Sequence, residues 1–461
     1  MEFSDDIRAN HRNLSPAAER FLDFLRESPE RIGQLNGLAA GLPGWTRTYP
    51  DTQLTWPTFV GEEKMRQIKR ATVGVSELIK SIPAVVFDGD CKAISDFYGY
   101  GEPALVEQLL TPPNGMEGAV ARCDFMDGVE GFKCCEVNMA SNVGGWECQF
   151  WEERYFNHPV ISQFIDEHCP KVTHHNPLRT LCSHIVEDTT SNEICTEGVL
   201  NVAVMAGRDH PMGPVGTCLA RQTYETFLRE TGNGLTGELI FCSDAADLSV
   251  KKMSVYAGGK RIHAVVEYSF RIIPEPVLWC QKAGTVCVYN GLLVKMLVDK
   301  RNLALLSEFE DSEYFETEER ALIRDHIPWS RIVADVQTTY RGEAVSLPRF
   351  LVSNRAALVL KPGLQSGGKD VYIGKFTDAG RWERLVRRAG REGWIAQDYI
   401  EPRLRLYTNG VDLALTQVAV WGMFSFGERY GGGYLRMLPH GARSGVVNSC
   451  GGAIEGPIFE V

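Results

Sequence analysis

Between residues 117 and 138 the chain leaves helical spacing and alternates, in a run that reads RCDFM-DGVEG-FKCCEVN. Alternation with period two marks a β-strand whose two faces meet different surroundings. Two such stretches flank Asp127-Gly128 and Gly131, residues that supply the turn of a hairpin. Residues two apart on a strand project from one face. Arg122 and Asp124 therefore emerge together, as do Glu136 and Asn138, and the hairpin lays one pair beside the other. That shared face constrains the fold more than any other feature of the sequence.

Asp124, Glu136 and Asn138 would place three oxygen donors on it. Hard cations such as Mg²⁺ take one or two carboxylates and leave the remaining positions to water and substrate phosphates. Arg122 beside them suits a phosphate or a carboxylate. A solvated hairpin face with an ordinary ion pair accounts for the same residues equally well.

The rest of the pattern alternates helices and strands. The first 90 residues read as helices, with Ser15-Pro16 as a cap and an apolar stripe through Phe21, Phe24 and Leu25. A loop rich in Pro, Gly and Trp runs from Gly41 to Phe59, and a helix follows through Met65, Ile68, Val73, Leu78 and Ile79. From Val199 a buried strand (199–207), a helix (217–230) and a second strand (238–242) follow in order. A hairpin at 253–266 is turned by Gly258-Gly259, and helices dominate 289–331. The last third carries strands at 356–362, 371–374, 394–400 and 413–426, and a basic helix at 380–390. The segment after Gly431 is glycine-rich with little periodicity. The fold class is α/β in the α+β sense.

At 461 residues, a prior of about 150 residues per domain gives roughly three lobes. The 48 Lys+Arg against 59 Asp+Glu leave a charge of −11, which opposes nucleic acid or an anionic membrane as the main partner. No stretch approaches the ~18 apolar residues of a membrane span. The opening Met1-Glu2-Phe3-Ser4-Asp5-Asp6 is acidic, and the 13 cysteines include no CxxC. Both point to reduced cysteines and a cytoplasmic protein.

Two motif matches carry little. Gly232–Gly237 fits G-x-G-x-x-G, but a helix precedes it and a strand follows, the reverse of a dinucleotide fingerprint. His168, Cys169, His174, His175, Cys182 and His184 lack the tight spacing of a zinc site and read as surface histidines with half-buried cysteines.

The C-terminal third matters more. Lys361-Pro362 ends an apolar strand, and Gln365-Ser366-Gly367-Gly368-Lys369 follows. Small residues let backbone amides approach a triphosphate, and a lysine at the strand edge offers a point charge. Lys300 opens a helix, and Ile395–Pro402, with Gln397 inside it, ends a strand as a linker between β-lobes would.

In this order the motifs resemble the circularly permuted ATP-grasp ligases, the group that includes glutathionylspermidine synthase. The resemblance rests on Arg122-Cys123-Asp124, Glu136-Val137-Asn138, Lys300, Lys361 with Gly367 and Gly368, and the strand through Gln397. It covers roughly residues 100–461. It implies an ATP-grasp fold with the nucleotide between two β-lobes. A helical region (1–110) would serve the substrates. The metal-binding hairpin region (111–195), an α/β lobe (196–290) and a nucleotide-binding lobe with the C-terminal strands (291–461) would follow.

The resemblance further implies ATP held by Lys300, Lys361, Gly367, Gly368 and Gln397, and Mg²⁺ on Asp124, Glu136 and Asn138. Arg122 would stabilise the oxyanion. The reaction would join a carboxylic acid to an amine through an acyl phosphate, releasing ADP. The acid, a small molecule or peptide, and the amine, free or carrier-bound, are not specified. Trp45 and Trp56 are candidates for an acceptor pocket. The Gly367-Gly368 loop and the segment Gly431–Arg436 are the lid candidates. The alternatives are a kinase-like phosphotransferase and a non-catalytic nucleotide-binding scaffold. A homodimer is compatible with the sequence, which does not set the oligomeric state.

Overall fold

The alternating run LALTQVAVWGMFSF forms a 14-residue strand, β18 (Leu413–Phe426), on which the largest sheet is built. The computed structural model describes all residues except 1–2, 39–53, 114, 209, 211–212, 233, 269–272, 366–367, 369, 409–411, 440–444 and 448–451. The sheet has seven strands. Its order is β1 (Thr58–Val60), β20 (Ile454–Glu460), β19 (Arg429–Pro439), β18, β2 (Val120–Gly128) and β3 (Gly131–Asn138), with β17 (Leu406–Thr408) pairing the start of β18. The expected hairpin is thus present as β2–β3. Its first strand, β2, is sandwiched between β18 and β3, so one hairpin face becomes part of a continuous sheet surface.

Glycines at 431–433 sit inside β19. A Cβ at Gly432 would come within 2.3 Å of the His175 carbonyl oxygen, so the glycine serves close packing. This overturns the lid expectation for Gly431–Arg436, which is a buried strand. The period-two alternation of its second half is what the glycines obscure.

A second, parallel sheet runs β10 (Cys287–Tyr289), β9 (Ala264–Glu267), β4 (Val202–Met205), β5 (Leu239–Cys242). β4 and β9 are buried along their length, which is why β4 reads as an unbroken apolar run. Helix Gly213–Glu230 provides the crossover between β4 and β5. The hairpin expected over 253–266 is shorter than that. β7 (Ser254–Ala257) and β8 (Lys260–Ile262) turn at Gly258-Gly259 within a meander that begins with β6 (Leu248–Lys251), while residues 264–266 join the parallel sheet as β9.

The third sheet is antiparallel: β11 (Ser330–Ile332), β16 (Ile395–Asp398), β14 (Leu358–Lys361), β15 (Tyr372–Ile373). Beside it a hairpin pairs β12 (Gln337–Tyr340) with β13 (Glu343–Ser346). The basic helix, Ala379–Glu392, buries Trp382, Leu385, Val386 and Ala389. That spacing is the stripe of an amphipathic helix laid on a sheet. The described buried apolar residues form three clusters. The largest joins the seven-stranded sheet to the N-terminal helices, and the other two lie under the parallel sheet and in the third sheet.

In the N-terminal part, Ser15 caps its helix as expected, its Oγ accepting from the Ala18 amide at 2.9 Å and donating to the Phe59 carbonyl at 2.8 Å. Phe21 packs edge-on to Phe164 at 4.8 Å between centroids, and Trp56 lies 5.5 Å from Phe21, inside this core. Trp45, the other acceptor-pocket candidate, is outside the described residues. The Cys/His group reads differently from expectation. His184, Cys169 and Cys182 are buried, and His174 and His184 bond to the carbonyls of Ile458 and Gly118. Among the described residues no three His, Cys, Asp or Glu side chains are grouped to hold a metal. The described cysteines are free, and no described helix is long and apolar enough to cross a membrane.

His11 ties the first helix to β17, accepting from the Leu406 amide at 3.0 Å. Burial, aided by Arg405, pushes its pKa down to about 3. The neutral ring is the folded form, and an unfolded histidine titrates near 6.5. Stability from this group is complete above about pH 6.5 and is lost as the pH falls toward 3. Replacement by glutamine, which keeps an acceptor but has no proton to take up, is expected to flatten that part of the melting-temperature profile against pH.

Candidate active site

The register of the central sheet brings the charged residues together. Arg122 lies opposite Asn138 and Asp124 opposite Glu136 across β2–β3. On the other side Asp124 faces Gly422 of β18, which faces Tyr434 of β19. Directly paired residues share a face, so one surface carries Arg122, Asp124, Glu136, Asn138, Tyr434 and Arg436. Gly422 makes the crossing possible. A Cβ there would meet Tyr434 at 2.8 Å and the Arg122 side chain at 3.1 Å.

Asp124 is the hub. Arg122 grips it with two bonds, Nε to Oδ1 at 2.8 Å and Nη2 to Oδ2 at 3.0 Å. Arg436 reaches Oδ2 from β19 at 2.8 Å, and Asn138 donates to the same oxygen at 3.4 Å. All three charged groups are buried. Burial by itself would raise the Asp124 carboxyl, but the two guanidinium groups outweigh it and hold the carboxyl below its ordinary range. Arg122 also donates to the Gly144 carbonyl at 2.9 Å and to the Tyr434 hydroxyl at 3.4 Å.

The lysines arrive from two other stretches. Lys300 precedes helix Arg301–Glu308; its backbone amide donates to Gly363, and its Nζ donates to the Gln365 carbonyl. The same Nζ pairs with Glu136 at 3.1 Å, joining the loop after β14 to the hairpin. Lys361 at the end of β14 donates to Gln397 Oε1 at 2.7 Å and to the Cys135 carbonyl at 3.0 Å. That carbonyl is available because the β2–β3 register shifts after Asp124, leaving Cys135 as an extra residue. Bulges of this kind recur beside active sites, where they redirect local groups. Gln397 in turn donates to Ser330 Oγ at 3.1 Å. Its amide is engaged in holding Lys361.

These residues line one cleft of about 720 Å³ whose floor is the seven-stranded sheet and whose opposite wall is the third sheet. The size is that of a small-molecule or cofactor site. Every described site residue expected from sequence faces it: Arg122, Asp124, Glu136, Asn138, Lys300, Lys361, Gly368 and Gln397. Gly367 lies outside the described residues. Among the described residues, none that lines the cleft belongs to 1–110. Tyr434, Arg436 and Glu147 also line it. Arg436, which the sequence leaves between a phosphate contact and a structural salt bridge, pairs with Asp124, and the Tyr434-x-Arg436 spacing is the one signal that could have found Tyr434. Glu147 has no such signal.

The donor set suits a hard cation. Glu136 and Asn138 are half-buried on the cleft side, and carboxylate and amide oxygens are what Mg²⁺ prefers. Asp124 differs, since both of its oxygens already accept from arginine.

No protein-family model matches the sequence, and no curated protein matches it. Among solved structures, a glutathione synthetase-like effector from Globodera pallida superposes with a TM-score of 0.54 over 93% of this chain and 96% of its own, at 11% identity. The chain has that fold. A protein described as a gamma-glutamylcysteine synthetase from Methylobacillus flagellatus covers 84% of this chain and 87% of its own at 12% identity. Its TM-score of 0.37 adds nothing to the assignment. A glutathione-synthetase-like fold agrees with the mixed α/β, ATP-grasp-like architecture expected from the motifs.

Removing Asp124's charge would strand two buried guanidinium groups. Breaking a buried pair from one side typically costs about 3–5 kcal/mol. Asp124→Asn is therefore expected to lower stability by about that much in urea titrations, whereas Glu136→Gln should cost less, because Lys300 keeps the Gln365 carbonyl.

Proposed function

We propose that this protein is an ATP-dependent carboxylate–amine ligase that makes an amide or peptide bond through an acyl phosphate. The observation that carries the reading is convergence: Arg122 and Glu136 from the hairpin, Lys300 from a helix start and Lys361 from β14 meet in one cleft. The hairpin motifs precede the lysines in the chain, the order of a circularly permuted ATP-grasp protein.

In this reading ATP lies between the two sheets. Lys300 and Lys361 meet its phosphates as point charges, and the loop of Gly367 and Gly368 offers backbone amides. Gln397 acts through Lys361, holding the ammonium toward the cleft. Mg²⁺, when bound, neutralises charge that develops on the phosphate oxygens. Glu136 and Asn138 would hold it, and Asp124 would join them by exchanging an arginine contact.

The carboxylate of the acid attacks the γ-phosphorus, forming the acyl phosphate and releasing ADP. The amine then attacks the acyl carbon, and phosphate leaves. Arg122 donates to the oxyanion of that second step from a dry, preorganised position. A walled cleft keeps water from the activated acid.

ADP release should require both an acid and an amine. Glu136→Ala and Lys361→Met are expected to reduce it about 10²–10³-fold while both variants remain folded by circular dichroism. Full activity in either variant would sink the site assignment. A stable phosphorylated product formed without an amine would favour the phosphotransferase, and nucleotide binding without turnover would favour the scaffold.

A further inference from the structure

A second cavity of about 160 Å³ opens beside the cleft. It lies between the parallel sheet and helices Pro177–Ser191 and Gly213–Glu230, with Leu181, Ile185, Val202, Val204, Ala220 and Phe241 among its walls. Two of its polar groups are engaged elsewhere. The Tyr224 hydroxyl donates to the Leu200 carbonyl at 2.9 Å, and the Trp146 indole donates to the Ser141 carbonyl at 3.0 Å. Among the described lining residues Glu147 is the one carboxylate.

The two cavities adjoin. Asn142, Val143, Gly144 and Glu147 line both. The junction is tied to the charged cluster by the Arg122 bond to the Gly144 carbonyl at 2.9 Å. A Cβ built at Gly144 would lie 3.5 Å from the Tyr434 hydroxyl, 3.8 Å from Arg122 Nη1 and 4.0 Å from Glu147 Oε1. The segment shared by the two cavities thus lies beside the arginine proposed to face the reacting carboxyl group.

Size and position then narrow the occupant. An apolar cavity of about 150 Å³ holds one benzene ring. Arg122 and Arg436 pair with Asp124, and Glu455 lies opposite Arg436 across β19–β20, so it is the position of Arg122 at the shared segment that suits it to a substrate carboxylate.

We propose that the acid activated by this enzyme carries a compact apolar side chain, of benzyl or isobutyl size, seated in this cavity with its carboxylate at Arg122. The inference rests on the ligase reading for the identity of the reaction, but the cavity's ligand can be tested without turnover.

The probe is 3-(4-fluorophenyl)propanoate, followed by ¹⁹F line broadening on the full chain. It should bind, and 3-phenylpropanoate should displace it far better than propanoate. Ala220→Leu fills the cavity from the helix side and should weaken binding at least about tenfold, as lost or blocked methylene-sized contacts do. Ala220→Val, a smaller insertion, keeps the test available should the leucine variant fail to fold. Displacement by propanoate as strong as by the aryl acid would overturn the proposal. So would unchanged binding in both folded variants, or equal displacement by 3-phenylpropylamine. Hydroxylamine, with Mg·ATP and the aryl acid, separates the two readings. Hydroxamate and ADP formation supports both. Selective binding without hydroxamate from any acid sustains the cavity assignment and removes the ligase reading.

Discussion

A buried carboxylate held by two arginines organises this protein. Asp124 receives Arg122 from its own strand and Arg436 from β19, and β18 lies between the two strands. In a sheet interior such charges survive only as a satisfied set, because each would be costly alone. The set fixes which face of the seven-stranded sheet is functional and aligns β2, β18 and β19 across it. Gly422 clears the space that the arginine and Tyr434 side chains occupy.

The third sheet docks against that face through lysines. Lys300 bonds at once to the hairpin carboxylate Glu136 and the loop at Gln365, and Lys361 reaches the bulged Cys135 carbonyl. The two contacts with the hairpin join stretches more than 160 residues apart in the chain. Each lysine therefore couples the geometry of one cleft wall to the other. A ligand drawing either ammonium toward itself would loosen that coupling, so binding and wall position belong to one equilibrium.

Much of this was legible in the residues. The hairpin, its paired side chains, the 14-residue strand and the amphipathic helix over 379–392 all follow from periodicities of two and 3.6 that burial imposes locally. Lys300 and Lys361 were recognisable from their positions at element boundaries. Other features were not. Residues 431–436 hide a strand because three glycines remove the side chains that would display its alternation. The bulge at Cys135 depends on how β2 pairs with β3, and Glu147 gains its setting from a short helical turn with no periodic signal. The histidines at 174 and 184 are spaced like surface residues but are covered by the seven-stranded sheet.

The amino-acid order by itself determined which side chains share a strand face, since that depends only on the alternation of the backbone. It also determined that the nucleotide-site candidates are divided between the hairpin near 130 and the last third of the chain. Only the tertiary structure decided that Asp124 spends its oxygens on Arg122 and Arg436, that Gln397 holds Lys361, and that an apolar cavity opens beside the charged cleft. Those outcomes depend on register and packing between segments remote in sequence. There, cross-strand neighbours and covering helices select a side chain's partner, and local spacing carries no record of them.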